Sequence, residues 1–142
     1  YIHTSSMCDS VPLAEEVDYI YQYVELQKLR LNEMTMVELD MDVEDSSLMV
    51  PPMLLVTFVE NCFKHGVSPV EKSRIKISLR EHDGKMEFQT SNRIFPVRRI
   101  GEHMGIENCR KRLNLLYNGK HDLKIMKENC FFTVKLSIDL CA

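Results

Sequence analysis

The sequence predicts an α+β fold, a two-layer sandwich in which helices cover one face of a mixed β-sheet. Three observations carry that prediction. Apolar residues recur at helical spacing in three separate stretches; strand-like alternation comes mostly in adjacent pairs; and a helical stretch parts one group of strands from the next. A doubly wound parallel sheet would alternate single strands with helices instead.

The elements follow in order. Residues 1–10 are polar and read as loose chain or the tail of an element. Pro12, with Glu15 and Glu16 behind it, is good helix-start chemistry, and Leu13, Val17, Ile20, Val24 and Leu31 form a heptad-like stripe. That stripe suits packing against a helix of the same chain or of a second copy. "MTMVELDMDV" alternates apolar and acidic residues as a half-buried strand does. "VPPMLLVTFVENCFKH" begins with prolines at a first turn and carries Leu54, Leu55, Phe58, Val59, Cys62 and Phe63 on one face, which predicts a buried helix ended by Gly66, Ser68 and Pro69. "RIKISLREHDGKMEFQTSN" is a hairpin turned at "HDGK". Residues 93–104 keep neither period and read as a loop, of a length that is usually functional. "GIENCRKRLNLLY" predicts a helix with Ile106, Cys109, Leu113 and Leu116 on one face, stopped by Asn118 and Gly119. A second hairpin, turned at "KEN", closes the chain.

At 142 residues the chain is about one ordinary domain, able to bury a core without disulfides or metals. Its net charge of −3 gives no general field for nucleic acid or anionic membrane, so an anionic ligand must be held locally. Five cysteines, odd in number and without a CxxC pair, point to a reducing compartment and a cytoplasmic setting. The longest uncharged apolar run, "VPPMLLVTFV", is about half the roughly 20 residues that cross a bilayer. Beginning at Tyr1, the chain reads as part of a longer protein, and a membrane segment would lie upstream.

The chemistry concentrates in "TFVENCFKHG". On a helix Asn61, Lys64 and His65 share one edge, with Glu60 adjacent. An asparagine carbonyl is a hard oxygen ligand suited to Mg²⁺, and a lysine beside it is a point charge suited to phosphate. A solvated helix face explains the same residues without a ligand. "GEHMGIEN" brackets a helix entry with Gly101 and Gly105, where free backbone N–H groups favour an anion; a flexible helix entry is the plainer reading. Cys62 has His65 one turn on, but it lies on the apolar face as core, and no spacing supports zinc.

In combination, "VPPMLLVTFVENCFKHG" and, some forty residues on, "GIENCRKRLNLLY" resemble the ATP-binding domain of sensor histidine kinases of the LytS type, within the gyrase, chaperone, histidine kinase and MutL ATPase superfamily. "PLAEEVDYIYQYVELQKLRL" is similar to the helix that leads into that domain, so the resemblance covers residues 12–140. It implies the end of a dimerisation and phosphotransfer region at residues 1–31 and an ATP-binding catalytic domain at 32–142. It further implies ATP and Mg²⁺ as cofactors, Asn61 as the Mg²⁺ ligand, Lys64 reaching phosphate, His65 beside the nucleotide, and Glu60 as the acid of the motif. Gly101 and Gly105 match the ends of the loop that closes over the triphosphate, and Asn108 and Arg112 match structural positions of the next helix. The implied partners are a response regulator, often of LytTR type, and a second copy through the N-terminal helix, with no direct nucleic-acid contact. The setting implied is the cytoplasmic side of a bacterial inner membrane.

The sequence departs from the pattern of that superfamily at several positions. Asn92 stands where the family's adenine-binding aspartate is expected, and Ile94 and Pro96 replace the glycines after it. His103 replaces the middle glycine of the closing loop. Thr57 stands where ATP-hydrolysing relatives carry a glutamate, and none of the five histidines has the context of a phospho-acceptor. Two rivals share the fold: a pseudokinase kept for interaction, favoured by "TSNRIFP", and a serine kinase, disfavoured by the leading helix.

Overall fold

The computed structural model describes residues 10–68, 70–95 and 104–141. Seven strands and three helices follow one another among these residues. They are β1 (Val11–Pro12), α1 (Leu13–Lys28), β2 (Thr35–Val43), β3 (Met49–Val50), α2 (Leu54–His65), β4 (Ser73–His82), β5 (Lys85–Arg93), α3 (Met104–Leu116), β6 (His121–Glu128) and β7 (Phe131–Asp139). Five strands form a mixed sheet in the order β2-β4-β5-β7-β6. The pair β2 and β4 is parallel, with α2 as its crossover, and every other pair is antiparallel. The predicted two-layer α+β sandwich is the observed one.

Alternation places Ile75, Ile77 and Leu79 of β4, Met86 and Phe88 of β5, and Val134, Leu136 and Ile138 of β7 against the helical layer, all buried. From the helices come Leu13, Ile20 and Val24 of α1, nearly the whole of α2, and Ile106, Cys109 and Leu113 of α3. The other sheet face carries charge, including the ion pair of Arg80 with Asp40 at 2.6 Å. Among the described residues no helix is long and apolar enough to cross a membrane.

The structure corrects several boundaries. The α1 helix ends at Lys28, so Leu31 lies beyond it, and the buried stripe runs through Glu16 while Val17 stays only partly buried. The packing partner of α1 is α2 of the same chain, with Tyr23 edge-on to Phe63 at 5.7 Å between centroids. Pro51 and Pro52 precede α2 rather than opening it; Met53 takes the left-handed conformation, φ 65°, and the helix starts at Leu54. Leu116 is 38% exposed at the end of α3 and leaves the apolar face to three residues. The last hairpin turns at Asn129 and Cys130, both at positive φ, so Lys127 and Glu128 belong to β6. The first hairpin turns at Asp83 and Gly84 as expected, also with positive φ at both, the conformation that matches strand twist in a two-residue turn.

The starts of α1 and α2 cap one another. The N–H groups of Leu13 and Ala14 donate to the carbonyls of Leu48 and Ser46, at 2.7 and 3.0 Å. In return the fully buried Glu16 of α1 sends its carboxylate to the start of α2, accepting from Met53 N at 3.2 Å, Leu55 N at 3.0 Å and Val56 N at 3.5 Å. A helix leaves its first N–H groups without internal partners, and a side-chain acceptor normally comes from the residue at the cap. Met53 has none to give. A second buried carboxylate, Glu81, ties Asp45 N at 2.6 Å and Gly84 N at 3.0 Å, fixing the loop after β2 to the first hairpin turn.

Candidate functional site

The site is built on α2, which lies on the sheet between α1 and α3 and is therefore buried along most of its circumference. Its remaining edge carries Thr57, Glu60, Asn61, Lys64 and His65, the residues spaced three or four apart that share one side of a helix. Lys64 at the end of that edge is exposed, Glu60 and His65 are half-buried, and Asn61 is 7% exposed. No side chain among the described residues hydrogen-bonds the Asn61 amide, although nearly all of that residue is out of water.

Gly66 ends α2 with φ −101°, so a positive φ is not its reason for being glycine. A Cβ there would lie 2.6 Å from the Cys62 carbonyl oxygen and 2.8 Å from the Asn92 Cβ. The missing side chain lets the end of β5 pass against the end of α2, which brings Asn92 next to Gly66 and the last turn of that helix. Asn92 has no exposed surface; its Nδ2 donates to the Arg93 carbonyl at 3.0 Å, and its Oδ1 has no donor. Such a buried acceptor without a partner is rare enough in folded proteins to call for an explanation. The chain after Asn92 stays on α2, with Phe95 N donating to the His65 carbonyl at 3.3 Å.

From the other side, α3 brings Gly105 to α2: a Cβ on Gly105 would stand 3.1 Å from the Thr57 methyl, one turn before Asn61. Thr57 itself donates its hydroxyl to the Met53 carbonyl at 2.8 Å. Arg112 donates to the Pro52 carbonyl at 2.9 Å, so it packs α3 onto the entry to α2. Asn108 is exposed. Gly101, His103 and most of the loop from Arg93 to Met104 lie outside the described residues; Arg93 ends β5 and Met104 opens α3.

The cysteines near the site take no part in its chemistry. Burial pushes the Cys62 thiol up to about 12, against the smaller opposing effect of the Thr90 hydroxyl, and burial likewise raises Cys109 to about 11. A thiol held that far above neutral pH is not a nucleophile. Tyr23 is also raised to about 12, by burial first and then by the Glu60 carboxylate, which places Glu60 within electrostatic reach of α1. Among the described residues no three His, Cys, Asp or Glu side chains stand together as metal ligands. A metal at this site would draw on the Asn61 carbonyl and on oxygens brought by its own ligand, the coordination habit of Mg²⁺ with phosphates.

No family model matches the chain. It is 31% identical over 117 residues to a sensor-like histidine kinase of Staphylococcus epidermidis, a match covering 77% of this chain and 23% of that protein. It is 25% identical over 129 residues to the sensor histidine kinase YesM of Bacillus subtilis, covering 85% of this chain and 22% of YesM. The chain is a homologue of sensor histidine kinases. It spans about a quarter or less of the length of these kinases. Its fold is that of their catalytic domain: the catalytic domain of histidine kinase ThkA superposes with a TM-score of 0.63 at 16% identity, covering 93% of this chain and 97% of that one. Full-length ShkA, solved with AMPPNP, superposes with a TM-score of 0.64 at 14% identity over 95% of this chain and 32% of that one.

Sequence reasoning missed Glu16 of this kinase homologue as anything beyond first-turn chemistry, and Gly66 as anything beyond a helix stop. A signal for the first was present. Glu16 falls on the apolar stripe with Leu13, Ile20 and Val24, and α2 starts with no Ser, Thr, Asp or Asn at its cap.

Proposed function

We propose that this chain is the ATP-binding catalytic domain of a sensor histidine kinase. It binds MgATP along the free edge of α2 and passes the γ-phosphate to a histidine outside residues 1–142, for relay to a response regulator. The observation that carries the reading is the Asn92 Oδ1, fully buried beside Gly66 at the end of α2 without a hydrogen-bond partner, together with the Asn61 amide, which makes no hydrogen bond among the described residues. A nucleotide brings what each lacks, an adenine amino group for the first and a phosphate-bound cation for the second.

In this reading Asn61 holds the metal, Lys64 turns its exposed ammonium to the phosphates, and His65 lies beside the nucleotide. Gly101 and His103 belong to the loop that closes over it, and Gly105, in the first turn of α3, stands at the end of that loop against Thr57. Magnesium, when bound, neutralises charge on the phosphates and fixes their orientation. Catalysis by the chain is then positioning and charge stabilisation, Lys64 supplying the cation and Glu60 orienting the accepting group. Asn92 accepts through an uncharged carbonyl, a grip about 1 kcal/mol weaker than a carboxylate would give. Because Asn92 has no exposed surface, adenine reaches it only when the residues that cover it move. Thr57 cannot serve as a base for water, since its hydroxyl is committed to the Met53 carbonyl. The whole protein would act as a dimer on the cytoplasmic side of a bacterial inner membrane, its regulator of the LytTR class.

Calorimetric titration of the chain with ATP and ADP, with and without Mg²⁺, tests the proposal. Magnesium-dependent binding in the micromolar to low millimolar range is the expected result. No heat and no thermal shift at several millimolar nucleotide would refute it and leave the pseudokinase reading, because a ligand at even a few times its Kd raises the melting temperature.

A further inference from the structure

Glu16 is the one acidic side chain of α1 that is wholly buried, and its carboxylate is spent on a different helix. It meets α2 at an unusual place. The elbow of residues 52–54 is gripped from two sides. Glu16 of α1 accepts from Met53 N, while Arg112 of α3 donates to the Pro52 carbonyl and the Cys109 thiol donates to the Leu54 carbonyl at 3.8 Å. Between these grips Met53 holds a left-handed backbone, φ 65°, which costs free energy for a residue with a side chain and persists only where neighbours impose it. From the elbow α2 runs without interruption to Asn61, less than two turns beyond Leu55 and Val56, whose N–H groups Glu16 also takes.

We infer that Glu16 is a positioning residue for the nucleotide site: by holding the elbow and first turn of α2 to α1, it sets where Asn61 stands along the helix axis. A cap supplied by the helix itself would stabilise α2 equally well but would leave it free to shift against α1. A cap supplied by α1 ties the two positions together. The segment before α2 also caps α1 through Ser46 and Leu48, so neither helix start moves without the other. Arg112 and Gly105 lie on the same helix, α3, one at the elbow and one beside Thr57, so the elbow also connects α1 to the end of the closing loop.

This inference rests on the proposed nucleotide site, and the test separates the two. Three chains are compared: wild type, Glu16→Gln, and Glu16→Gln with Met53→Asp, which puts an acceptor at the cap of α2 without restoring the tie to α1. Each is titrated with ATP with and without Mg²⁺, and its amide hydrogen exchange is followed along α2. The expected result is that Glu16→Gln weakens binding of MgATP about tenfold and metal-free ATP less than twofold, with faster exchange reaching Asn61. The double variant should recover thermal stability but not MgATP affinity. Recovery of both, or faster exchange confined to residues 55–57 with MgATP affinity unchanged, would overturn the inference and leave Glu16 a plain helix cap. Should wild type bind no nucleotide, the proposed function fails, and the exchange pattern alone decides the role of Glu16. Should Glu16→Gln fail to fold, Glu16→Asp, which keeps the charge and draws it back by one methylene, takes its place with the same readouts.

Discussion

The two ends of α2 are opposites. At the N-terminal end the polar groups of the backbone are provided for: Glu16 takes three N–H groups, Arg112 and Cys109 take two carbonyls, and Thr57 closes the first turn onto Met53. At the C-terminal end Asn61 makes no side-chain hydrogen bond among the described residues, Asn92 Oδ1 has no donor, and Lys64 is exposed. Folding selects for paired polar groups in the interior, so an end fully paired is explained by stability alone. A buried side-chain oxygen left unpaired, as Asn92 Oδ1 is, is not, and ligand binding is where such groups find partners. The contrast therefore sorts residues into those whose loss costs the fold and those whose loss costs binding.

Asn92→Asp pushes on that contrast hardest. A carboxylate in this pocket, with no donor facing it, would be an uncompensated buried charge and should destabilise the free chain by roughly 3–5 kcal/mol near neutral pH. Adenine nucleotide should recover part of that loss. Urea denaturation with and without MgATP measures both, and a variant as stable as wild type without ligand would show that Asn92 Oδ1 does have a donor.

Asn61→Ala is the opposite case. It removes an amide that makes no hydrogen bond among the described residues, so stability should change by no more than about 0.5 kcal/mol. MgATP affinity should fall about 100-fold, near 2.7 kcal/mol. Calorimetry beside a melting curve checks the pair, and a large loss of stability with binding retained would move Asn61 to the structural side.

Gly66→Ala probes the place where β5 meets the C-terminal end of α2. The added methyl would press on the Cys62 carbonyl and the Asn92 Cβ, which must shift to admit it, and overpacking of this kind costs about 1–3 kcal/mol. Because it separates β5 from α2, nucleotide affinity should fall as well. Unchanged affinity would mean that Asn61 and Asn92 do not serve one ligand.

How much of this was legible beforehand follows from the range of each interaction. Strand alternation and helix periodicity are local, so the α+β sandwich, the first hairpin turn at Asp83 and Gly84, and the buried face of α2 could be read directly. The turn at Asn129 and Cys130 could not, because cysteine has no preference for positive φ and the pairing of β6 with β7 imposes it. The strands β1 and β3 span two residues each, too short for any period to show. Glu16 lies 37 to 40 residues from the N–H groups it takes, and only packing reveals that. At the site, residue types and spacing gave Asn61 and Lys64 a chemistry, while Asn92 entered through family resemblance. The approach of Asn92 to Gly66 depends on the path of β5 against the end of α2, which no local pattern encodes.

The smallest effect lies on the far face of the sheet and serves as the control. His82 sits with Nδ1 3.4 Å from Glu44 and Nε2 3.4 Å from Asp42, while Arg80 beside it pairs with Asp40 and Asp42. Its pKa is raised, chiefly by the hydrogen bond to Glu44 and then by the charge of Asp42. A raised folded-state pKa means that the imidazolium is favoured by folding. Its contribution is fully present below the unfolded value of 6.5 and is lost as pH rises through the folded one. All these groups are exposed, so the contribution is small and screened by salt. Denaturation midpoints of wild type and His82→Gln should differ at about pH 5.5 and converge by about pH 8, the window that histidine titration sets. Salt should narrow the low-pH difference. A difference that grew with pH would contradict the geometry. MgATP affinity should be the same in both chains at either pH, because His82 faces away from α2; if it moved with His82, the sheet would be transmitting charge from one face to the other, and the sorting of residues by their place on α2 would be too simple.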